Sequence, residues 1–242
     1  MSAATYTRYE LVRTFRNVRF MLLSLVFPLT LFLLVAAPNR NQTLGGLSFP
    51  LYYMTGMVAW GTMAAMLSCG ARIAVERSVG WNRQLRITPL KTRAYFRAKI
   101  STAYALASLT IVALYVSGIA LGVHMSVGRW LTMTGLILVG LVPFAVLGIL
   151  LGHLLTPEAV GPAIGGMTAL LALLGGAYGP VATSGVLHDL VQLLPSYWLV
   201  QAAHTAVGAN AWGAKGWTVI AVWTVVLGRL AAVAYRRDTK RV

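Results

Sequence analysis

The sequence predicts an all-α integral membrane protein that forms a single domain over residues 1–242. Hydrophobic residues make up 58% of the chain and charged residues only 10%, whereas charged residues make up about a quarter of a typical soluble protein. The mean hydropathy is +0.73. Apolar runs recur with a length of about 20 residues, which as a helix crosses a hydrocarbon core of about 30 Å.

Six apolar runs are long enough to be transmembrane helices. The last of them contains Arg229, which lies near enough to its end for the guanidinium to reach the headgroups. The predicted spans are Phe20–Ala37, Leu51–Ala71, Ile100–Val123, Trp130–Leu155, Ala159–Tyr178 and Trp217–Tyr235.

The orientation follows from the distribution of Lys and Arg between the two sides. The N-terminal segment, the 72–99 segment and the C-terminal tail together carry seventeen of these residues, and the opposite side carries three. The positive-inside rule therefore places both termini and the 72–99 segment in the cytoplasm. Because the cations flank apolar spans, the net charge of +15 indicates topology, and a nucleic-acid partner is not expected.

Residues 1–19 are expected to form an interfacial helix in the headgroup plane. Leu11, Phe15 and Val18 form a narrow apolar stripe, and Arg8, Arg16 and Arg19 lie beside it. The alternative is a frayed basic tail that serves only as a topology signal.

A helix is predicted to start at the short turn after the fourth span. Thr156 suits the N-cap, Pro157 the first helical position and Glu158 the first turn, where the helix dipole favours an acid. This capping role explains all three residues, so we prefer it to a functional role for the acid.

The outer segment 179–216 is apolar, and Pro180 and Pro195 divide it into pieces too short to cross the membrane. Irregular backbone at membrane depth is tolerated only where it is buried in protein or lines a wet cavity. We therefore expect short re-entrant half-helices before the last span. The alternative is a hydrophobic surface loop that rests on the headgroups.

The sequence lacks the residue patterns of common catalytic and metal sites. The histidines have neither the spacing nor the carboxylate neighbours of a metal site, and Cys69 is the only cysteine. No two acids are expected to lie close together, so a two-carboxylate acid/base site is not predicted. We expect a chain that is not an enzyme and holds no cofactor or metal. The acids are Glu10, Glu76, Glu158, Asp189 and Asp238.

Between the second and third spans, the segment 72–99 carries eight Lys and Arg residues against the single acid Glu76. Its core from Glu76 to Leu90 resembles the pattern of ABC-2 type transporter permeases, with an acidic-basic pair, a glycine, a leucine and a terminal Thr-Pro-Leu. The resemblance extends over the whole chain and is nearest to the small permeases of drug and antibiotic exporters.

This resemblance implies that the 72–99 segment is a cytoplasmic coupling helix that docks into a separate ABC ATPase subunit. Two permease copies, or the chain and a paralogue, would pair with two ATPases in a bacterial-type plasma (inner) membrane. ATP and Mg²⁺ would bind to the partner. The matching positions are Glu76, Arg77, Gly80, Leu85, Thr88 and Pro89. Ser78 and the pair Trp81-Asn82 depart from the pattern.

The residues also favour docking independently of the resemblance. On a helix Val75, Val79, Trp81 and Leu85 share one broad arc, and Trp81 would be an aromatic anchor within a charged rim. Gly80 is a point at which the helix could divide in two. The alternative is a basic loop that only enforces topology.

The implied function is export of lipophilic or amphiphilic compounds, as in multidrug efflux and antibiotic resistance. We expect the first, second and fifth spans to line the path at an interface between two permeases, within a membrane-lipid environment. An ion-coupled secondary transporter and a non-transporting assembly or sensor protein remain the alternatives. The candidate path and outer-gate residues are Tyr53, Met57, Trp60, Pro180, Pro195, Tyr197 and Trp198.

Overall fold

Helices account for almost all regular structure in the computed structural model, which describes residues 3–17, 25–81, 84, 92–179 and 184–240. A two-stranded antiparallel hairpin, β1 (Thr43–Leu44) and β2 (Leu47–Ser48), precedes the second long helix. A 3-10 turn covers Thr205–Val207. In chain order the α-helices are α1 (Ala3–Phe15), α2 (Phe27–Ala36), α3 (Phe49–Ser78), α4 (Thr92–Ala120), α5 (Val127–Gly140), α6 (Val142–Leu154), α7 (Pro157–Gly175), α8 (Gly185–Val191), α9 (Pro195–His204) and α10 (Ala214–Lys240).

Five helical segments of the described chain are long and apolar enough to cross a membrane, and they match the second to sixth predicted spans. They are α3, α4, the pair α5 and α6, α7 and α10. The first predicted span contributes α2, an apolar helix of 10 residues. Its beginning, residues 20–24, lies outside the described residues. The all-α, multi-span character is thus confirmed.

The fourth span is divided into α5 and α6, although the sequence predicted one helix over Trp130–Leu155. The break falls at Leu141, and Pro143 follows in the first turn of α6. Proline has no N–H to donate to the preceding turn, so a proline two residues after the break is expected.

Helix α3 is the centre of the bundle and packs against α2, α4, α6, α7 and α9. It meets α6 through glycines. A Cβ atom added at Gly70 would lie 2.3 Å from the carbonyl carbon of Gly148, and one added at Gly152 would lie 2.5 Å from the carbonyl oxygen of Gly70. Small residues permit this approach of two backbones, which is a common way to join membrane helices.

Helix α3 continues beyond the predicted membrane boundary. Its 30 residues give a length of about 45 Å, which exceeds the hydrocarbon thickness of about 30 Å. The predicted 72–99 loop is therefore helical at both ends, because α3 runs to Ser78 and α4 begins at Thr92. Gly80, with φ of +71°, follows the end of α3, and its carbonyl accepts from the Gln84 N–H at 3.2 Å. Helix α3 therefore ends just before Gly80, where the sequence predicted a division, and most of the segment that would form a second helix lies outside the described residues.

The predicted start of the fifth span is also confirmed. Thr156 is the N-cap of α7, and its hydroxyl oxygen accepts from the Ala159 N–H at 3.4 Å. Pro157 occupies the first turn together with Glu158. The cap uses all three residues as their types predict.

The described part of the segment 179–216, which the sequence predicted to lie on the outer side, contains two short helices in different environments. Helix α9 begins at Pro195 and packs against α3, α5 and α7, with Trp198 and Leu199 buried. By contrast, α8 exposes its apolar side chains, including 76% of Val186. The re-entrant interpretation fits α9, and the surface-loop alternative fits α8.

Candidate functional site

Helix α1 lies across the end of the bundle at which α3 ends, and it packs along α4. Its buried face consists of Tyr6, Glu10 and Thr14, which are spaced four residues apart. The predicted apolar stripe lies elsewhere on the helix, since Phe15 is 39% exposed. Val18 lies outside the described residues. A helix is therefore present as predicted, but it contacts the protein through polar groups.

The buried polar groups of α1 belong to a four-residue charge cluster formed by Glu10, Arg13, Glu76 and Lys99. The Lys99 Nζ donates to Oε1 of Glu10 and to Oε1 of Glu76, both at 2.5 Å. The Arg13 Nη1 donates to Oε1 of Glu76 at 2.8 Å and lies 3.8 Å from Oε2 of Glu10. The expectation that no two acids lie close together is therefore wrong for Glu10 and Glu76.

The cluster is electrically balanced and largely shielded from solvent. The side chains of Glu10, Glu76 and Lys99 are 1–2% exposed, and that of Arg13 is 32% exposed. Two carboxylates face two cations, so the buried net charge is zero. Removing one partner of such a buried pair typically destabilises a protein by about 3–5 kcal/mol, because the other charge is left unpaired.

Two tyrosines complete the surroundings of the carboxylates. The Tyr95 hydroxyl donates to Oε2 of Glu76 at 3.1 Å, and the ring of Tyr6 lies 6.1 Å from that of Tyr95. Burial, followed by the negative charges of Glu10 and Glu76, raises the pKa of Tyr6 well above its ordinary value. Tyr6 therefore stays protonated and adds no further charge to the cluster.

The next residue along α3 forms a separate set of contacts, the Arg77 clamp of Arg77, Asp238 and His153. Arg77 Nε lies 2.6 Å from Asp238 Oδ2, and that oxygen also lies 3.0 Å from His153 Nδ1. Arg77 Nη1 donates to the His153 carbonyl at 2.8 Å, at the negative end of α6. The expectation that the histidines lack a carboxylate neighbour is wrong for His153, which is buried.

Glu76 and Arg77 are adjacent, yet they connect α3 to different helices. Glu76 contacts α1 and α4 through the charge cluster, and Arg77 contacts α6 and α10 through the clamp. The last turn of α3 is thus tied by side chains to four other helices. A displacement of that turn has to move these helices or break buried ion pairs.

Among the predicted coupling residues, Trp81 lies against α1. Its ring stacks on Tyr9 with centroids 6.3 Å apart, and the Arg13 guanidinium lies 5.4 Å from its centroid. The exposed apolar side chains at this end are Val75 of α3 and Val79, which directly follows α3 and is 68% exposed. Three further predicted coupling residues lie outside the described residues. They are Leu85, Thr88 and Pro89.

A groove of about 470 Å³ lies between α2, α3 and α7. These are the first, second and fifth spans, which the sequence predicted to line a path. One end is bounded by Trp60, whose ring centroid lies 5.6 Å from that of Phe27 and 6.2 Å from that of Tyr178. The other end reaches Arg72 and Val75, close to the charge cluster.

The remaining candidate path residues that the structure describes do not line this groove. Met57 is fully buried in the core, and Tyr53 stacks between Phe32 and Phe49. The Trp198 indole donates to the Gln192 carbonyl at 2.8 Å. Pro195 and Tyr197 lie in α9, and Pro180 lies outside the described residues.

Sequence reasoning missed Glu10, Lys99 and Arg72 as members of these sites. Glu10 did carry a signal, because it is the only acid beside four arginines in the N-terminal segment. Lys99 directly precedes an apolar run, where a cation usually marks the membrane boundary. Among the described residues there is no group of three or more His, Cys, Asp or Glu side chains that could hold a metal ion.

Comparison with known proteins finds one informative similarity. The chain is 29% identical over 192 residues to a protein of Bacillus subtilis (strain 168) named "Putative transport permease YvfS", and the match covers 78% of each chain. No family model matches the sequence. The chain is therefore similar over most of its length to a protein named as a transport permease.

Proposed function

We propose that this chain is the membrane-spanning permease subunit of an ATP-driven ABC exporter, which moves lipophilic or amphiphilic compounds out of the cell. A separate ATPase subunit binds and hydrolyses ATP with Mg²⁺, and this chain has no enzymatic activity. Two permeases, identical or paralogous, form the transport unit in a bacterial-type plasma membrane. Similarity to a protein named as a transport permease supports the transport role.

The observation that carries the proposal is the double attachment of the α3 end through Glu76 and Arg77. In the proposal, the ATPase binds the segment that follows Ser78 and displaces it during the ATP cycle. The charge cluster and the Arg77 clamp then transmit this displacement to α1, α4, α6 and α10. A chain of such contacts can carry energetic coupling between distant sites when the helices that it joins have two alternative packing arrangements.

The proposed docking surface differs from the one that the resemblance suggests. Glu76 is 1% exposed, so its role is to position the α3 end. The exposed Val75 of α3 and Val79, which directly follows it, are apolar residues that a partner could cover, together with the segment after Gly80. An apolar centre within a polar rim is the usual composition of a protein–protein interface.

The proposal places the docking end in the cytoplasm. Helix α1 and the C-terminal part of α10 both contact the α3 end, through Arg13 and Asp238 respectively. The described parts of the three segments to which seventeen of the twenty Lys and Arg residues belong therefore meet at one end of the bundle. This grouping agrees with the positive-inside rule.

The test is transport in inverted membrane vesicles that contain this chain and the ATPase that co-purifies with it. A lipophilic fluorescent dye should accumulate with ATP and not with a non-hydrolysable analogue, and a protonophore should not prevent accumulation. Uptake that needs a proton gradient and no ATP would instead identify a secondary transporter. Absence of uptake under both conditions would favour the assembly or sensor alternative.

Variants of the α3 end then test the coupling. Val79→Asp places a charge on the exposed surface and should reduce co-purification of the ATPase at least about tenfold without loss of the folded permease. Glu76→Gln should abolish ATP-dependent uptake. Glu158→Gln is the matched control, since Glu158 is exposed in the first turn of α7. Normal uptake and ATPase binding in both α3 variants would refute the coupling role.

A further inference from the structure

We propose that the exposed side of α10 binds an anionic phospholipid from the membrane leaflet at the Arg77 clamp. The phosphate of this lipid pairs with Arg229, and one acyl chain follows α10 towards Val222. The site lies on the outside of the bundle and is independent of the proposed transport function.

Helix α10 has one buried side and one exposed side. Leu227 belongs to the buried cluster that α10 shares with α6. On the opposite side, Val222, Val226 and Val233 are 45–53% exposed. Arg229 is exposed as well, and with 3.6 residues per turn it lies within about 60° of all three valines around the helix. The exposed side is therefore an apolar strip with an arginine in its middle.

Arg229 lies at a depth within the membrane span. Helix α10 is long and apolar enough to cross a membrane, with Trp217 exposed near its start and Arg237 exposed near its end. Tryptophan is typical of the interface, and the distance between these two residues is about 30 Å along the helix, which equals the hydrocarbon thickness. Arg229 is about 18 Å from Trp217 and about 12 Å from Arg237. Its side chain therefore has to extend towards Arg237 to reach polar groups.

The guanidinium of Arg229 has no partner within the part of the chain that the structure describes. It makes no hydrogen bond, ion pair or ring contact with any of those residues. An arginine within a span usually faces the bundle interior or a water-filled cavity and pairs with another group there. Because Arg229 faces outwards, its partner has to come from the bilayer or from another chain.

The positions of the acids favour the bilayer as the source of this partner. Each of the five acids lies in α1, in α8 or within the first or last three residues of a long helix. A second copy of the chain in the same orientation therefore offers Arg229 no carboxylate at its depth. A phospholipid supplies a phosphate, and a guanidinium can bind two of its oxygens at once. Extension of the side chain and local thinning of the bilayer bring the two groups together.

A second arginine makes the site selective for a lipid with a net negative charge. Arg237 is exposed two turns after Arg229. The Asp238 carboxylate next to it is already engaged, since Oδ2 lies 2.6 Å from Arg77 Nε and 3.0 Å from His153 Nδ1. Each arginine near the surface attracts an anionic lipid, whereas the cation of a phosphocholine head offsets this attraction.

The test uses the purified full-length chain in phosphatidylcholine nanodiscs, without ATP and without any partner. The probe is phosphatidylglycerol with a diazirine in one acyl chain, compared with phosphatidylcholine that carries the same chains. We expect saturable labelling of α10 between Val222 and Val226 by phosphatidylglycerol, at least about fivefold stronger than by phosphatidylcholine. Arg229→Gln should reduce it to the phosphatidylcholine level. Arg97→Gln removes an exposed arginine of α4 near the same end of the bundle and should change it less than about twofold.

A second measurement is independent of the photochemistry. Exchange of the nanodisc lipid from phosphatidylcholine to phosphatidylglycerol should raise the Tm of the wild type and of Arg97→Gln. For a site that is about nine-tenths occupied, the increase is about 3–6 °C. Arg229→Gln should fold normally, because the residue is exposed, and should lack most of this increase.

Three outcomes would overturn the proposal. Equal labelling by the two lipids would show that the head group is not recognised. An equal loss of labelling in Arg229→Gln and Arg97→Gln would show a general attraction of the basic surface. If the carboxylate of another chain is the partner, α10 of the wild type will not be labelled, and Arg229→Gln will shift oligomers to monomers.

Discussion

Replacement of Lys99 by Met is expected to destabilise the protein more than any other change in the charge cluster. Lys99 is the common partner of Glu10 and Glu76, with both Nζ to oxygen distances at 2.5 Å. Met has a similar length, so the change removes the charge and little volume. It leaves two buried carboxylates with Arg13 alone, and the unpaired charge costs about 3–5 kcal/mol. With about 2–4 °C per kcal/mol for a chain of this size, Tm should fall by about 6–20 °C.

The buried Cys69 provides the assay, because it is the only cysteine and is 3% exposed. A thiol-reactive fluorogenic dye should report unfolding as this thiol becomes accessible during a temperature ramp. Arg97→Met on the exposed side of α4 is the control and should change Tm by less than about 2 °C. The double variant Lys99→Met with Glu10→Gln restores neutrality and should recover at least half of the loss. A wild-type Tm for Lys99→Met, or no recovery in the double variant, would refute the account of a balanced buried cluster.

Two further changes test the contacts that α3 makes with its neighbouring helices. Asp238→Asn weakens the acceptor of the Arg77 clamp and should cost about 1–2 kcal/mol at this partly exposed pair, which lowers Tm in the thiol-accessibility assay by about 2–8 °C. Asp189→Asn, at an exposed residue of α8, is the control and should leave Tm unchanged. Equal Tm values for the two variants would contradict the clamp. Gly70→Ala forces a methyl group against the backbone of α6 and should sharply reduce the yield of folded protein. Gly135→Ala in α5 is the control, because the added methyl group meets nothing within 4 Å and should be tolerated. Similar yields of the two variants would contradict the close packing of α3 and α6.

The fold was predictable because each long helix carries its own signal. An apolar run of about 20 residues is a local property, and so is the cap formed by Thr156, Pro157 and Glu158. Helix ends outside the membrane were less predictable. Arg72 to Ser78 is polar enough to resemble a loop, yet it continues α3 because its charged side chains find partners on other helices.

The candidate site was predictable only in part, since its geometry depends on contacts between distant residues. The motif identified Glu76 and Arg77 but predicted that they contact a partner subunit, whereas in the structure they contact other helices of this chain. Spacing along one helix does not reveal which of its faces meets another helix. Glu10 and Lys99 are 89 positions apart, and neither belongs to a recognisable pattern. The groove was anticipated from the choice of spans, while Arg72 became relevant only when α2, α3 and α7 were seen together.

The distance of 89 residues between Glu10 and Lys99 also has a consequence for biosynthesis. At about 5–20 residues per second, the ribosome completes Lys99 roughly 4–18 s after Glu10. During this interval α1 has no cluster to join, and its arginines can hold it at an anionic membrane surface. The ion pairs form only after α3 and the start of α4 have been made, so the arrival of Lys99 converts α1 from a surface-bound segment into a fixed part of the bundle.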